Sequence, residues 1–210
     1  MPKRIIKNSL EGYNIYAPFY DSTLSHLDSF EKDELIKLVG NISNKRILDL
    51  GCGTGRITQT LKRRVGAAGA HFTLVDISEE MLRIAKNRLP DVDIVHADMT
   101  DLPLKDDTFD IVIAAFVIVH IPTKNLSKVF DEVARVLKPG GTFILTNINQ
   151  RKAPRLTLNQ KEELVIKSYY HIPKHVIEKL EDSLFKIEKE IFVNEENTWI
   201  NQIIRSTISK

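Results

Sequence analysis

An apolar run that stops in three alternating glycines, RILDLGCGTGR at residues 46–56, constrains this chain more than any other stretch. A strand that feeds a glycine turn and then a helix brings backbone close to a ligand at the helix's positive end. Glycine suits such a turn because it lacks a Cβ and tolerates positive φ. After the turn, Ile57, Leu61 and Val65 recur at four-residue steps, which predicts a helix ending at Gly66.

The same design repeats downstream. Runs rich in Ile, Val, Leu and Phe at 46–50, 72–76, 92–97, 109–117 and 142–148 predict strands, with helical spacing between them. Ser78 is a candidate N-cap for a helix whose apolar face is Leu82, Ala85 and Leu89, stopped by Pro90. Leu126, Val129, Phe130, Val133 and Leu137 form the inward face of another, closed by Pro139, Gly140 and Gly141. This alternation predicts an α/β fold, a doubly wound, mostly parallel sheet with helices on both faces. Beyond residue 150 the pattern changes. Residues 151–183 read as polar and helical, with Pro173 in the first turn of a second helix, and 184–192 and 198–209 read as a hairpin. The first 40 residues read as one or two helices covering the sheet. The expected organisation is a single domain, 1–210: cover 1–40, core 41–150, substrate-side segment 151–183 and terminal hairpin 184–210.

The glycines raise the question of the ligand. Asp76 ends the strand that follows them, and in a doubly wound sheet that carboxylate lies beside the first strand's tip, within reach of ribose hydroxyls. The spacing G-x-G-x-G is not the dinucleotide G-x-G-x-x-G, and position 56 is Arg56. Asp49, two residues before Gly51, would repel a pyrophosphate and welcome a cation. His120 follows the long fourth strand, where ligands of open sheets bind, and a neutral imidazole there can take a proton from a hydroxyl or amine. The other histidines lack metal-ligand spacing apart from the step between His171 and His175, so no metal is expected.

ILDLGCGTGR, LVDIS, HADMTDLPLKDDTFDIVIAAFVIVHI and VLKPGGTFILT occur in this order, and over about residues 40–150 the chain resembles the class I S-adenosylmethionine-dependent methyltransferases. The likeness is strongest to the ubiquinone/menaquinone-biosynthesis-like, type 11 branch. The resemblance implies a Rossmann-like seven-stranded sheet with the last strand antiparallel. It also implies S-adenosylmethionine as cofactor and S-adenosylhomocysteine as product. On it, Gly51, Cys52, Gly53 and Gly55 lie against the methionine part, and Asp49 sets the charge. Asp76, followed by Ile77, holds the ribose diol. Asp98 and Met99 surround the adenine, with Asp98 accepting from its amine. YAPFYDSTL resembles the tyrosine-rich segment that closes over the cofactor; Tyr16 and Tyr20 lie one helical turn apart, and Tyr20 is the preferred contact.

The acceptor is less legible. The chain has AAFVIVHIP where methyltransferases of exocyclic amines carry Asn/Asp-Pro-Pro-Tyr/Phe. Arg151, Lys152 and Arg155 would meet an anionic substrate and Tyr169 and Tyr170 an apolar ring, although a solvated charge run is the better explanation of the cations. A net charge of +2 is too mild for a dedicated nucleic-acid binder. The expected partner is therefore a small molecule. An RNA or protein methyltransferase stays open, as does a non-catalytic binder of the cofactor; a dinucleotide-dependent oxidoreductase is disfavoured. The oligomeric state is not legible. One cysteine, no h-region after MPKRIIKNSL and no apolar run longer than the nine residues 111–119 predict a cytoplasmic protein without a membrane span.

Overall fold

The computed structural model describes residues 3–22, 34–64, 68–148, 155–159, 162–195 and 199–210. Strands β1 (Lys3–Lys7), β2 (Arg46–Leu50), β3 (His71–Asp76), β4 (Asp93–His96), β5 (Phe109–Ala114) and β6 (Leu137–Ile148) are followed by β7 (Arg155–Asn159), β8 (Glu162–Ile166), β9 (Phe185–Glu195) and β10 (Trp199–Ile208). The helices are α1 (Ser9–Tyr20), α2 (Glu34–Val39), α3 (Arg56–Arg64), α4 (Glu79–Arg88), α5 (Leu126–Val136) and α6 (Pro173–Asp182).

Seven strands form one sheet in the order β4-β3-β2-β5-β6-β10-β9. β2 through β6 run parallel, and β10 is antiparallel to both β6 and β9. The expected doubly wound sheet with its antiparallel terminal strand is thus present. Both of its faces are covered, which is why the central strands are continuously apolar: Ile47, Leu48, Leu50, Val112 and Ile113 are all buried. Val129, Phe130, Val133 and Leu180 from α5 and α6 fill one face, and Leu35, Leu61, Leu82 and Ala85 from α2, α3 and α4 fill the other. Local signals behave as read. The Ser78 hydroxyl accepts from the Met81 amide at 3.2 Å, capping α4, and Pro173 opens α6.

The first correction concerns 151–183. Within the described part, 155–159 and 162–166 are strands, not helix. β8 pairs with β7 antiparallel and with β1 parallel, Lys3 opposite Glu162 through Lys7 opposite Ile166. The N-terminal segment therefore contributes a strand as well as helices. Composition misleads here because Glu, Leu and Lys favour helix, whereas the pairing that decides the outcome joins residues some 160 positions apart. On this small sheet α1 lies close: a Cβ on Gly12 would stand 2.7 Å from Ile166 Cγ1. Tyr16 is buried there with Leu164 and Ile166. A second correction shortens the long fourth strand, which stops at Ala114 rather than 117. Phe116 turns to φ +59°, and its amide donates to Thr146 Oγ1 at 2.6 Å.

Candidate active site

The sheet order reverses at β2: β3 and β4 follow on one side of it and β5 and β6 on the other. At such a switch point the loops leaving the carboxyl ends diverge and leave a crevice. A cavity occupies that place, walled by Asp49 and Gly51–Thr54 at the end of β2, Val75–Ile77 at the end of β3, Ala97–Thr100 after β4 and Ala115–Val117 with His120–Pro122 after β5. Ser9, Tyr13 and Tyr20 of α1 roof it.

The glycine loop is folded differently from a phosphate cradle. The Gly51 and Cys52 amides donate to the Val75 carbonyl at 2.8 and 3.0 Å, the Gly53 amide to Asp76 Oδ2 at 2.8 Å and the Gly55 amide to the Cys52 carbonyl at 2.9 Å. Three of these amides are therefore spent on stitching the loop to β3, and the fourth on closing the turn itself. Gly51 is required for this, having φ +71° and standing where a Cβ would fall 2.2 Å from Val117 Cγ2. Gly53 faces the Tyr20 ring, 3.8 Å from where its Cβ would be. Gly55 does not line the cavity; its missing Cβ faces Leu89, Ala85 and Leu74.

Charge is distributed unevenly around the walls. Asp49, Asp76 and Asp98 face Arg56 as the charged residues lining the cavity, and all sit at the ends of β2, β3 and β4. Burial pushes the Asp49 carboxyl up to about 6, against a 2.7 Å hydrogen bond from the Thr58 hydroxyl. Burial also raises Asp76, while amide hydrogen bonds from Ser78 and Gly53 hold it down. Asp98 Oδ1 accepts from the amide and the hydroxyl of Thr100, both at 2.8 Å. Burial, then Asp49 and Asp76, push the Cys52 thiol up, so it is an inert part of the wall. The wall after β5 carries no ionised side chain: it is Ala115, Phe116, Val117, His120, Ile121, Pro122 and Asn125.

His120 closes that wall. Its Nδ1 lies 3.1 Å from the Lys167 carbonyl and its Nε2 2.6 Å from the Tyr13 hydroxyl. A carbonyl only accepts, so Nδ1 carries the hydrogen and Nε2 is the acceptor of the Tyr13 proton. Burial lowers the His120 pKa, keeping the ring neutral, and raises that of Tyr13, keeping the phenol protonated. The tautomer that a base needs is therefore imposed by the backbone of residue 167.

Residues 47–141 match the model of a methyltransferase domain family. Over those residues the chain is similar to that family. It is 39% identical over 145 residues to a demethylmenaquinone methyltransferase of Clavibacter sepedonicus, covering 64% of this chain and 56% of that protein. It is 37% identical over 121 residues to the ubiquinone/menaquinone biosynthesis C-methyltransferase UbiE of Idiomarina loihiensis, covering 55% and 46%. The chain thus spans about half the length of these curated relatives. Among solved structures, a SAM-dependent methyltransferase of Methanosarcina mazei superposes with a TM-score of 0.71 at 20% identity, covering 84% of this chain and 97% of that one. At that identity the likeness establishes the fold.

Apart from Gly55, every sequence candidate for cofactor contact within residues 47–141 lines the cavity: Asp49, Gly51, Cys52, Gly53, Asp76, Ile77, Asp98 and Met99. Tyr20 joins them from α1. Tyr16 does not; it is core, 2% exposed. The tyrosine missed by sequence reasoning is Tyr13. At 100° per residue Tyr13 and Tyr20, seven apart, nearly eclipse each other, and Tyr16 is turned from them by about 50°, towards the small sheet. His171 is buried, donating from Nε2 to the Ile118 carbonyl at 2.9 Å, and so supports the turn that carries His120. Tyr169 and Tyr170 are half-buried and outside the cavity lining. Arg151 and Lys152 lie outside the described residues, as does the side chain of Arg155. No helix among the described residues is long and apolar enough to cross a membrane.

Proposed function

We propose that the protein is an S-adenosylmethionine-dependent methyltransferase acting on a small, uncharged acceptor. The observation that carries the reading is the cavity's charge: three carboxylates against one guanidinium, with the glycine-loop amides already bonded within the protein. Such a site suits a cationic ligand and repels a pyrophosphate. When bound, the cofactor supplies a methyl group already activated by its sulfonium. The chain's own residues then do the rest. Asp76 and the second oxygen of Asp98 would hold the ribose and adenine, Met99 and Ile77 would cover the ring, and Asp49 would face the cationic methionine end. Tyr13 and Tyr20 exclude water from above, and His120 receives the acceptor's proton, directly or through Tyr13. The relatives' names make demethylmenaquinone in its reduced form the first acceptor to try, with carbon as the methylated atom. A cytoplasmic location belongs to the same reading.

The test is a thermal shift with S-adenosylmethionine, S-adenosylhomocysteine, NAD and NADP in parallel. A ligand at a hundred times its dissociation constant adds about 2.7 kcal/mol, which raises the midpoint of a chain this size by about 5 to 10 °C. Shifts with the adenosyl compounds alone are expected; a shift with a dinucleotide alone would overturn the assignment. Within the same assay, Asp76→Ala should weaken adenosyl binding at least about tenfold, the loss of a charge-assisted pair of hydrogen bonds. Unchanged affinity by calorimetry would remove Asp76 from the ribose site.

A further inference from the structure

Arg88 is the last residue of α4 and stands outside the cavity lining. A cation in the last helical turn ordinarily serves its own helix's carbonyls and dipole. This one reaches across to the glycine loop. Its Nη1 donates to the Thr54 carbonyl at 2.8 Å and to Thr54 Oγ1 at 2.9 Å, and its Nη2 donates to the Asp21 carboxylate. The Thr54 hydroxyl, in turn, donates to Asp21 Oδ1 at 2.8 Å. Each of the three residues is thus bonded to the other two, with Thr54 fully buried and the Arg88 side chain 19% exposed.

Thr54 follows Gly53, and Asp21 follows Tyr20. These neighbours are the two surfaces that face each other across one end of the cavity, the Tyr20 ring lying over the Gly53 backbone. We infer that Arg88 is a positioning residue: by clamping Asp21 to Thr54 it holds Tyr20 over the glycine loop and so sets affinity for the adenosyl cofactor without touching it. The inference rests on the reading of the cavity given above. Two further contacts show why the clamp has this leverage. The Ser78 hydroxyl donates to Asn14 Oδ1 at 2.6 Å and Tyr13 bonds His120, so α1 is tied to the loops after β3 and β5 as well. The clamp secures its C-terminal end, next to Tyr20. A lysine cannot replace it, because one ammonium lacks the planar fork that serves a carbonyl and a carboxylate together.

The experiment is a double-mutant cycle read as S-adenosylhomocysteine affinity by calorimetry, with the ligand-free thermal midpoint recorded for each protein. Arg88→Ala is expected to lose at least tenfold in affinity and Arg88→Lys to recover little of it. Asp21→Asn, which keeps the shape of the clamp, should weaken binding in the same direction. In a Tyr20→Ala background, Arg88→Ala should cost less than threefold, because the ring through which it acts is gone. An equal cost in both backgrounds would mean general support of the fold and would overturn the inference. So would wild-type affinity in Arg88→Ala. A wild-type protein that does not bind the adenosyl compound overturns the cofactor reading itself, a different failure from a wild type that binds and an Arg88 variant that binds equally well.

Discussion

Asp49→Asn is expected to stabilise the ligand-free protein and to abolish most of its affinity for S-adenosylmethionine. The two effects have one cause. Asp49 is 2% exposed, and burial raises its carboxyl from 3.8 to about 6 despite the Thr58 hydroxyl. A raised carboxyl means that ionisation is resisted by the fold. Its contribution to stability is full below pH 3.8 and is lost as pH rises through about 6. At pH 7 the folded protein therefore carries an ionised group that costs about 2 kcal/mol after discounting the hydrogen bond that asparagine can still accept. Removing it should raise the thermal midpoint by about 4 to 8 °C. Binding runs the other way. A cation beside Asp49 is what makes its ionisation favourable, so the variant should bind at least about a hundredfold more weakly, about 2.7 kcal/mol. In the wild type the same linkage predicts that affinity falls as pH drops through about 6. It also predicts that binding near that pH releases a proton, measurable by calorimetry in two buffers of different ionisation enthalpy. A variant that is less stable, or that binds as tightly as the wild type, would show that Asp49 is only a structural partner of Thr58.

Why this carboxylate was legible from sequence, and Tyr13 was not, follows from the range of the signals involved. Asp49 lies on a strand that runs into a glycine turn and a helix, all within about ten residues, and the local pattern fixes both its place and its neighbours. The same holds for Asp76 at the end of β3 and for Ser78, which caps α4 where its spacing says it should. The roof is another matter. β1 finds β8 across most of the chain, and α1 can only be aimed at the cavity once that pairing exists. Helical spacing alone offered Tyr16 and Tyr20 as a pair, but Leu164 and Ile166 of the unforeseen strand take Tyr16 into the core and leave Tyr13 and Tyr20 to face the ligand. Arg88 was invisible for the same reason: a basic residue in a last turn looks complete in itself, and its real partners come from a loop and a helix far away in sequence.

The second large effect concerns the step that consumes the acceptor's proton. His120→Gln should lower methyl transfer about a hundredfold or more, the range of a positioned acid or base, while Tyr13→Phe tells the proton's route, and both should leave S-adenosylhomocysteine affinity within about threefold. The reasoning starts from hydrogen-bond directions. Lys167 offers only a carbonyl, so His120 holds its hydrogen on Nδ1 and points the Nε2 lone pair at Tyr13, 2.6 Å away. Burial lowers the His120 pKa below 6.5, so the ring stays neutral and able to accept through the physiological range. Turnover should then hold constant as pH falls towards 6.5 and decline only below it, as the imidazole becomes protonated. Phenylalanine at 13 keeps the ring that excludes water and removes only the hydroxyl, which separates proton transfer from packing. If the proton passes through Tyr13, its phenylalanine variant approaches the His120 variant in rate, and the double variant is no worse than either, because the two act as one unit. If His120 meets the acceptor directly, Tyr13→Phe retains most of the activity while His120→Gln does not. Equal losses of rate and cofactor affinity in both would assign the pair to holding α1 on the domain, and the acceptor's proton would have to leave by another route.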